Sequence, residues 1–268
     1  MYGAFIGDIN GSKYEFNNTH DYNFKLFEDD MRYTDDSVLT LAIMDTFNNF
    51  YGVDDDTFKD KLITKLVDFT NNDSRRGFGN MFYSWVNNYV HLPYNSCGNG
   101  SGMRVSSVAY VSKKLDEVKK YSKLVTEVTH NHPEGIKGAE AIAVSIFLAK
   151  NKTPINDIKD YIVKNYYPHI LDMDYEDLKK NYYFKATCQD SCPEAIFCFL
   201  ISTSFEDALR KAITIGGDSD TIADMTCAIA EAYYGVSEEF KEKTREYLPK
   251  RYLEIIDKFV EKFINNNN

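Results

Sequence analysis

The chain has 268 residues, of which 43% are hydrophobic and 15% aromatic, and its formal net charge is −10. This length and apolar content suffice for one sizeable core. The negative charge repels phosphate backbones, so we do not expect nucleic acid as a partner. We see no signal peptide, and the longest apolar stretch, near Ala141–Ala149, is too short to span a membrane. We expect a cytoplasmic monomer with no membrane partner.

The cysteines do not form the pattern of a disulfide framework or a zinc site. Their number is odd, there is no CxxC pair, and the one pair spaced four residues apart has no second pair or histidine cluster to complete a ligand set. We therefore expect buried free thiols in a reducing compartment. The five cysteines are Cys97, Cys188, Cys192, Cys198 and Cys227.

Helical spacing of apolar residues dominates the chain, and strand patterns are scarce. The positions that share a helix face are Leu39, Ile43, Phe47 and Phe50, then Val118, Tyr121, Val125 and Val128, and finally Ile255, Ile256, Phe259, Val260 and Phe263. Helices are also predicted at Ile136–Lys150, at Ala208–Ile215 before Gly216 and at Ile222–Tyr234 before Gly235. The sequence predicts an all-α fold, one compact multi-helix domain over residues 1–264 followed by a disordered tail at 265–268.

Three glycines spaced four residues apart mark the first predicted helix. Gly3, Gly7 and Gly11 would form one smooth stripe along it. Each glycine costs a helix roughly 1 kcal/mol relative to alanine, so the stripe needs a reason. Close packing against another helix is the expected one.

Two short clusters, each with one threonine and two aspartates, directly precede predicted helices. They are Thr34–Asp36 and Asp218–Thr221. Alone, each is explained as a helix cap with acids in the first turn. Together they bring four carboxylates and two hydroxyls, hard oxygen ligands that favour Mg²⁺, Ca²⁺ or Mn²⁺, and two ions would suit this number of ligands.

Other segments are weaker signals when taken singly. The glycine-rich loop, Asn95–Arg104, has three glycines that allow backbone N–H groups to face an anion, but it could equally be a flexible surface loop. His130 and His132 precede a turn, where a histidine is more often a structural hydrogen-bonding residue than a catalyst. Glu15 alone is an ordinary charge near the end of the glycine-striped helix.

In their order along the chain, six segments resemble the ADP-ribosylglycohydrolase family, and the resemblance runs from Gly3 to about Gly235. The segments are Gly3–Asp8 with Tyr14–Phe16, Tyr33–Ser37, Arg76–Gly79, Gly98–Arg104, Thr129–Pro133 and Gly216–Thr221. The resemblance implies a compact all-α fold with a central binuclear metal cleft that holds two Mg²⁺ ions, or Mn²⁺.

The resemblance also implies roles for particular residues. The implied metal ligands are Thr34, Asp35, Asp36, Asp218, Asp220 and Thr221. Glu15 would lie near the metals, and Glu15 and Asp218 are the candidate catalytic carboxylates. The implied substrate contacts are Ser96, Gly98, Asn99, Gly100, Ser101, Met103 and His130, with His132 a weaker candidate and Arg104 a brace for the loop.

The activity that the resemblance implies is hydrolysis of the glycosidic bond between ADP-ribose and an acceptor, such as an ADP-ribosylated protein, through an oxocarbenium-like transition state. Arginine-directed relatives carry an acid near Gly79, which has no side chain, so serine-linked or other O-linked ADP-ribose is favoured. One alternative is a catalytically silent relative that binds ADP-ribose, although all six implied ligands are present. Another is a different two-metal hydrolase such as a phosphatase, for which no Arg/Lys clamp is evident.

Overall fold

The computed structural model describes residues 1–265, and within that range it contains α-helices and no β-strand, as the sequence predicts. The helices are α1 (Gly3–Gly11), α2 (Asp35–Phe50), α3 (Asp55–Asn72), α4 (Asn80–Val86), α5 (Val108–Val111), α6 (Leu115–Thr126), α7 (Pro133–Lys150), α8 (Ile155–Asn165), α9 (Tyr175–Asn181), α10 (Cys188–Leu200), α11 (Phe205–Thr214), α12 (Ser219–Tyr234), α13 (Glu238–Tyr247) and α14 (Lys250–Phe263). Short 3₁₀ turns lie at Asn99–Ser101 and Pro168–Asp172.

Helix α12 lies at the centre of the single core. It packs against α1, α7, α10 and α11, while α3 and α14 pack against α2. The cysteines are free, and all of them except the partly exposed Cys97 are buried. Between residues 1 and 265, no helix combines the length and apolarity that a membrane span requires. Of the predicted tail at 265–268, residues 266–268 lie outside the described range, so the domain boundary at 264 stays a prediction.

The predicted helices are confirmed, with shifts at their starts. Helix α7 begins at Pro133 rather than at Ile136 because the His132 ring Nδ1 accepts a hydrogen bond from the Glu134 N–H at 3.1 Å, and proline suits the first helical position. The start of a helix is thus set by capping residues that lie outside its apolar pattern.

The ends of α11 and α12 are followed, as predicted, by glycines with positive φ. Gly216 and Gly217, with φ of +83° and +72°, follow the end of α11, and Gly235, with φ of +80°, follows α12. Val128, assigned to a helix face from its spacing, lies in the turn beyond α6, which ends at Thr126. It is nevertheless buried.

The glycine stripe packs α1 directly against α12. A β-carbon on Gly7 would overlap the backbone carbonyl of Ala223, and one on Gly11 would overlap the backbone of Asp220. A β-carbon on Gly3 would meet the same helix further along. The predicted close contact is confirmed, and it places the end of α1 beside the start of α12.

We predict that Gly7→Ala destabilises the protein by roughly 1–3 kcal/mol, because the added methyl group meets backbone that cannot move aside without separating α1 from α12. Alanine's higher helix propensity would by itself stabilise the helix. Urea denaturation followed by circular dichroism measures the change in unfolding free energy.

Gly79→Ala is the matched control. A β-carbon there has no neighbour within 4 Å, and Gly79 has φ of −59°, which alanine adopts freely. Its unfolding free energy should change by less than about 1 kcal/mol. Equal stability of the Gly7→Ala variant and this control would contradict the packing argument.

Candidate functional site

Asp218 holds the capping position of α12 but does not cap the helix. The α12 N-terminus has no side-chain capping hydrogen bond. Instead, the Asp218 carboxylate accepts a hydrogen bond of 2.7 Å from the Asn99 side-chain amide, in the glycine-rich loop. The helix start therefore leaves the carboxylate directed toward a neighbouring segment.

Three carboxylates converge at this point. Ligand oxygens of Glu15, Asp218 and Asp220 all lie within 4.8 Å of one another. Glu15 reaches the group because its turn follows α1, which ends against α12. Asn18 fastens this turn: its side-chain amide donates to the Gly217 carbonyl at 2.9 Å and accepts from the Gly217 N–H at 2.9 Å. Two segments far apart in sequence are thus locked side by side.

The Thr34 cluster is held by a carboxylate from α1. Asp8 is fully buried and accepts hydrogen bonds from the Thr34 N–H at 2.9 Å, the Thr34 hydroxyl at 2.7 Å, and the backbone and hydroxyl of Ser37. The Thr34 hydroxyl also accepts a long bond of 3.3 Å from the Asp36 N–H, so Thr34 caps α2 as predicted. A hydroxyl has two acceptor lone pairs, so one remains free for a cation.

Asp36, in the Thr34 cluster, is close enough to Asp220 of the other cluster for their charges to interact. Its side chain is buried, and one carboxylate oxygen has no hydrogen-bond partner among residues 1–265. Burial raises the pKa of Asp36 well above its ordinary value, and the charges of Asp220, Asp8 and Asp35 raise it further. Burial and then the charge of Asp218 raise the pKa of Glu15 to about 7. Ionising all of these carboxylates together is therefore costly unless a positive charge lies beside them.

This donor set fits a hard divalent cation. The converging groups are carboxylates with one threonine hydroxyl on either side, and they include neither imidazole nor thiolate, which selects against zinc. The free oxygen of Asp36 is a buried acceptor that a cation would satisfy. A cation would also relieve the repulsion that raises the pKa values.

The glycine-rich loop is anchored rather than loose. The Asn99 N–H donates to the Ala186 carbonyl at 3.1 Å, and the Cys188 N–H donates to the Cys97 carbonyl at 2.8 Å. Ser101 is buried, and its hydroxyl donates to the Gly135 carbonyl at 2.9 Å. Together with the bond from the loop to Asp218, these contacts hold the loop against α7, α10 and α12.

One cavity of about 310 Å³ joins the acidic group to the glycine-rich loop. The predicted site residues that line it are Glu15, Asp35, Asp36, Asp218, Asp220, Thr221, Ser96, Gly98, Asn99, Gly100, Met103 and His130. Thr34 and Ser101 are buried and are not among the residues that line it. The ligand contacts predicted for all of these residues stay predictions. His132 caps α7 and does not line the cavity.

Sequence reasoning missed several residues that build the site. Asp8 carried a signal, since it is the only ionisable residue in the helix Gly3–Gly11. Asn18 carried none, because its partner Gly217 is distant in sequence. The cavity walls also include residues that we did not predict, namely Leu39, Gly77, Asn80, Met81, Phe82, Tyr94, Phe184 and Ala186.

The chain is similar to several known proteins. ADP-ribosylhydrolase ARH3 of Homo sapiens is 24% identical over 88% of this chain and 84% of that protein. The ADP-ribosylarginine hydrolase Tri1 of Pseudomonas putida is 23% identical over 76% of this chain and 59% of that protein. A solved structure titled ADP-ribosylglycohydrolase-related protein complex has the same fold, with a TM-score of 0.68 over 96% of this chain and 92% of that one at 16% identity.

The sequence profile of the ADP-ribosylglycohydrolase family matches residues 1–268, the whole chain. The profile and the relatives confirm the resemblance that the six segments indicate. The shared architecture accounts for the all-α fold, and the names of the relatives describe hydrolysis of ADP-ribosyl bonds. The chain therefore belongs to the ADP-ribosylglycohydrolase family and is a glycohydrolase.

Proposed function

We propose that this enzyme hydrolyses, with Mg²⁺, the glycosidic bond between ADP-ribose and an acceptor and releases ADP-ribose. The observation that carries the proposal is the convergence of Glu15, Asp218 and Asp220 in a cavity that is also lined by the glycine-rich loop. The acidic group suits a cation with a sugar, and the loop suits a diphosphate.

Two Mg²⁺ ions, or Mn²⁺, fit the number of oxygen donors. When bound, they would supply positive charge that orients the ribose and favours deprotonation of water. The proposed ligands are Thr34, Asp35, Asp36, Asp218, Asp220 and Thr221, with Glu15 beside them. The unpartnered oxygen of Asp36 and the free lone pair of Thr34 support this assignment.

Glu15 and Asp218 are the carboxylates placed to carry a proton. Glu15 is half-buried at the cavity, and its raised pKa of about 7 suits proton exchange near neutral pH. Asp218 is held by the Asn99 amide, which fixes the direction of its carboxylate. Asp218 is therefore the more restrained of the two carboxylates.

The glycine-rich loop lines the part of the cavity that adjoins the acidic group. Ser96, Gly98, Gly100 and His130 line the cavity there, and glycine allows a ligand to approach the backbone closely. Backbone N–H groups and hydroxyls are suitable donors to diphosphate oxygens in a protein with a net charge of −10. This division of donors orients ADP-ribose with its ribose at the acidic group.

We predict that Asp220→Asn lowers Mg²⁺-dependent release of ADP-ribose from modified peptides by roughly 100-fold or more, because the amide removes a charged ligand from the group. Release is measured chromatographically, and EDTA should abolish it in the unmodified enzyme.

Asp160→Asn makes the same chemical change at an exposed position on α8 and should leave release unchanged. Tight binding of ADP-ribose by the unmodified enzyme without turnover on any acceptor would contradict the enzymatic proposal and support a binding role. Release that persists at full rate in EDTA would contradict the metal requirement.

A second prediction concerns pH. Burial and the charges of Asp218 and Asp8 raise the pKa of Glu15 to about 7 against the opposing charge of Arg32. In the metal-free folded state, Glu15 therefore holds a proton that the unfolded chain loses near pH 4.5, so this contribution to folding stability is lost as pH rises from about 4.5 to about 7. Mg²⁺ competes with that proton and relieves the repulsion.

Thermal unfolding with and without Mg²⁺ measures this competition. The rise in Tm caused by Mg²⁺ should be larger at about pH 8 than at about pH 6. Asp220→Asn should reduce the rise at both pH values, and Asp160→Asn should not. A Mg²⁺ effect of equal size at the two pH values would contradict the coupling.

The acceptor side of the cavity has a neutral wall. Gly79, Asn80 and Met81 form one part and Phe184 another, and the carboxylates that line the cavity belong to the metal group. A guanidinium leaving group would find no separate acid here. This supports serine-linked or other O-linked ADP-ribose as the substrate over the arginine-linked form.

We predict that Gly79→Asp shifts the ratio of release from arginine-linked to serine-linked peptides toward arginine by up to about fivefold, which corresponds to an exposed ion pair of about 1 kcal/mol. The space around Gly79 is open, so the side chain fits. Gly79→Asn, of equal size without the charge, should leave the ratio unchanged. A shift in both variants would show that size rather than charge is responsible.

A further inference from the structure

Arg104 is a buried cation that has no carboxylate partner among the residues that the structure describes. Its side chain is fully buried, and neither Nε nor Nη1 has a hydrogen-bond partner among residues 1–265. Nη2 donates to the Thr129 hydroxyl at 2.6 Å, and the guanidinium lies 6.0 Å from the centroid of the Phe82 ring. Burying a charge without an oppositely charged partner destabilises the fold. A role for Arg104 in the site would explain why this cost is tolerated.

The hydrogen bond from Arg104 to Thr129 determines the direction of the hydrogen bond between Thr129 and His130. A guanidinium only donates, so the Thr129 oxygen accepts from it. The same oxygen lies 2.8 Å from Nδ1 of His130. Among residues 1–265, Nδ1 is the atom in contact with the Thr129 hydroxyl that can accept its proton. If Nδ1 carried a proton instead, the hydroxyl proton would have no acceptor. Nδ1 is therefore the bare nitrogen, and Nε2 carries the hydrogen.

The environment keeps this imidazole neutral. Burial lowers the pKa of His130 well below its ordinary value, and the charge of Arg104 lowers it further. Nε2 faces the glycine-rich loop, since a β-carbon on Gly100 would lie 3.2 Å from it and one on Gly98 would lie 3.5 Å away. The ring thus presents an N–H, not a lone pair, to the loop end of the cavity.

We propose that Arg104 and Thr129 are positioning residues that act through His130. Arg104 orients the Thr129 hydroxyl, the hydroxyl fixes the neutral Nε2–H form of His130, and His130 donates that hydrogen to an anionic ligand. Arg104 is also the only lysine or arginine among the residues described as lining the cavity, against five carboxylates. The step from orientation to binding of a diphosphate rests on the function proposed above.

The inference about orientation is tested on the free protein. Long-range ¹⁵N–¹H correlation spectra distinguish the two neutral forms of histidine, and His130 should show a protonated Nε2 and a bare Nδ1. Thr129→Val should lose this signature, and Thr129→Ser should restore it because serine keeps the hydroxyl. A protonated Nδ1 in the unmodified protein would overturn the inference, whether or not the variants fold.

The consequence for binding is tested with ADP-ribose and Mg²⁺ by calorimetry. Thr129→Val should weaken ADP-ribose binding roughly tenfold, the loss expected for one oriented hydrogen bond to a charged group. KM should rise by a similar factor with a smaller change in kcat, because the contact is made before the transition state. Thr126→Val is the matched control, since it removes an equally buried hydroxyl that has no partner within residues 1–265.

The outcomes separate this inference from the proposed function. Unchanged affinity and an unchanged His130 signature in Thr129→Val would overturn the positioning role. An equal loss of affinity in Thr126→Val would do so as well, because it would reflect general softening of this segment. If the unmodified protein binds no ADP-ribose, the proposed function fails, while the spectrum of the free protein still decides the orientation of His130.

Discussion

The contact between α1 and α12 is the constraint on which the site depends. Glycine at the stripe brings the two backbones together, so that the end of α1 lies against Asp220 at the start of α12. From that position the turn after α1 delivers Glu15 to the acidic group, and Asp8 reaches across to hold Thr34 at the start of α2. Each glycine costs roughly 1 kcal/mol of helix propensity. In exchange, one helix pair aligns two Thr/Asp motifs from distant parts of the chain.

Charge in the cleft is divided between the acidic group and the part of the wall around the glycine-rich loop and His130. Carboxylates crowd together in the acidic group, where burial and mutual repulsion raise their pKa values and make ionisation costly without a cation. The wall around the loop holds a buried arginine behind a neutral histidine, and burial lowers the pKa of that arginine, Arg104, to about 10, so it stays charged at neutral pH. A ligand that carries hydroxyls at one end and a diphosphate at the other complements this arrangement. The same division would suit an anionic ligand in a protein with a net charge of −10.

The helices and the core of the site could be predicted from sequence because both depend on local patterns. Apolar spacing indicates α2 and α12, and paired Thr and Asp residues at their starts indicate oxygen ligands. Contacts between residues far apart in the chain leave no comparable pattern in the sequence. Asp8 was given no role because its hydrogen-bond partners lie at the start of α2, distant in sequence. Spacing alone could not show that His130 faces the cavity while His132 caps α7. Phe184 belongs to a segment without regular structure, so its place in the cavity wall follows only from the folded chain.

The two Thr/Asp motifs look alike in sequence, yet they differ in how they begin their helices. Thr34 caps α2, whereas Asp218 leaves the α12 N-terminus uncapped and turns to the Asn99 amide. The sequence cannot distinguish these cases, because the donor that draws Asp218 away belongs to the glycine-rich loop. The consequence is that the anchored loop, through Asn99, fixes the direction of the Asp218 carboxylate. The loop that would hold the diphosphate therefore also sets the direction of a proposed metal ligand, which explains why a segment so rich in glycine is anchored to α7, α10 and α12.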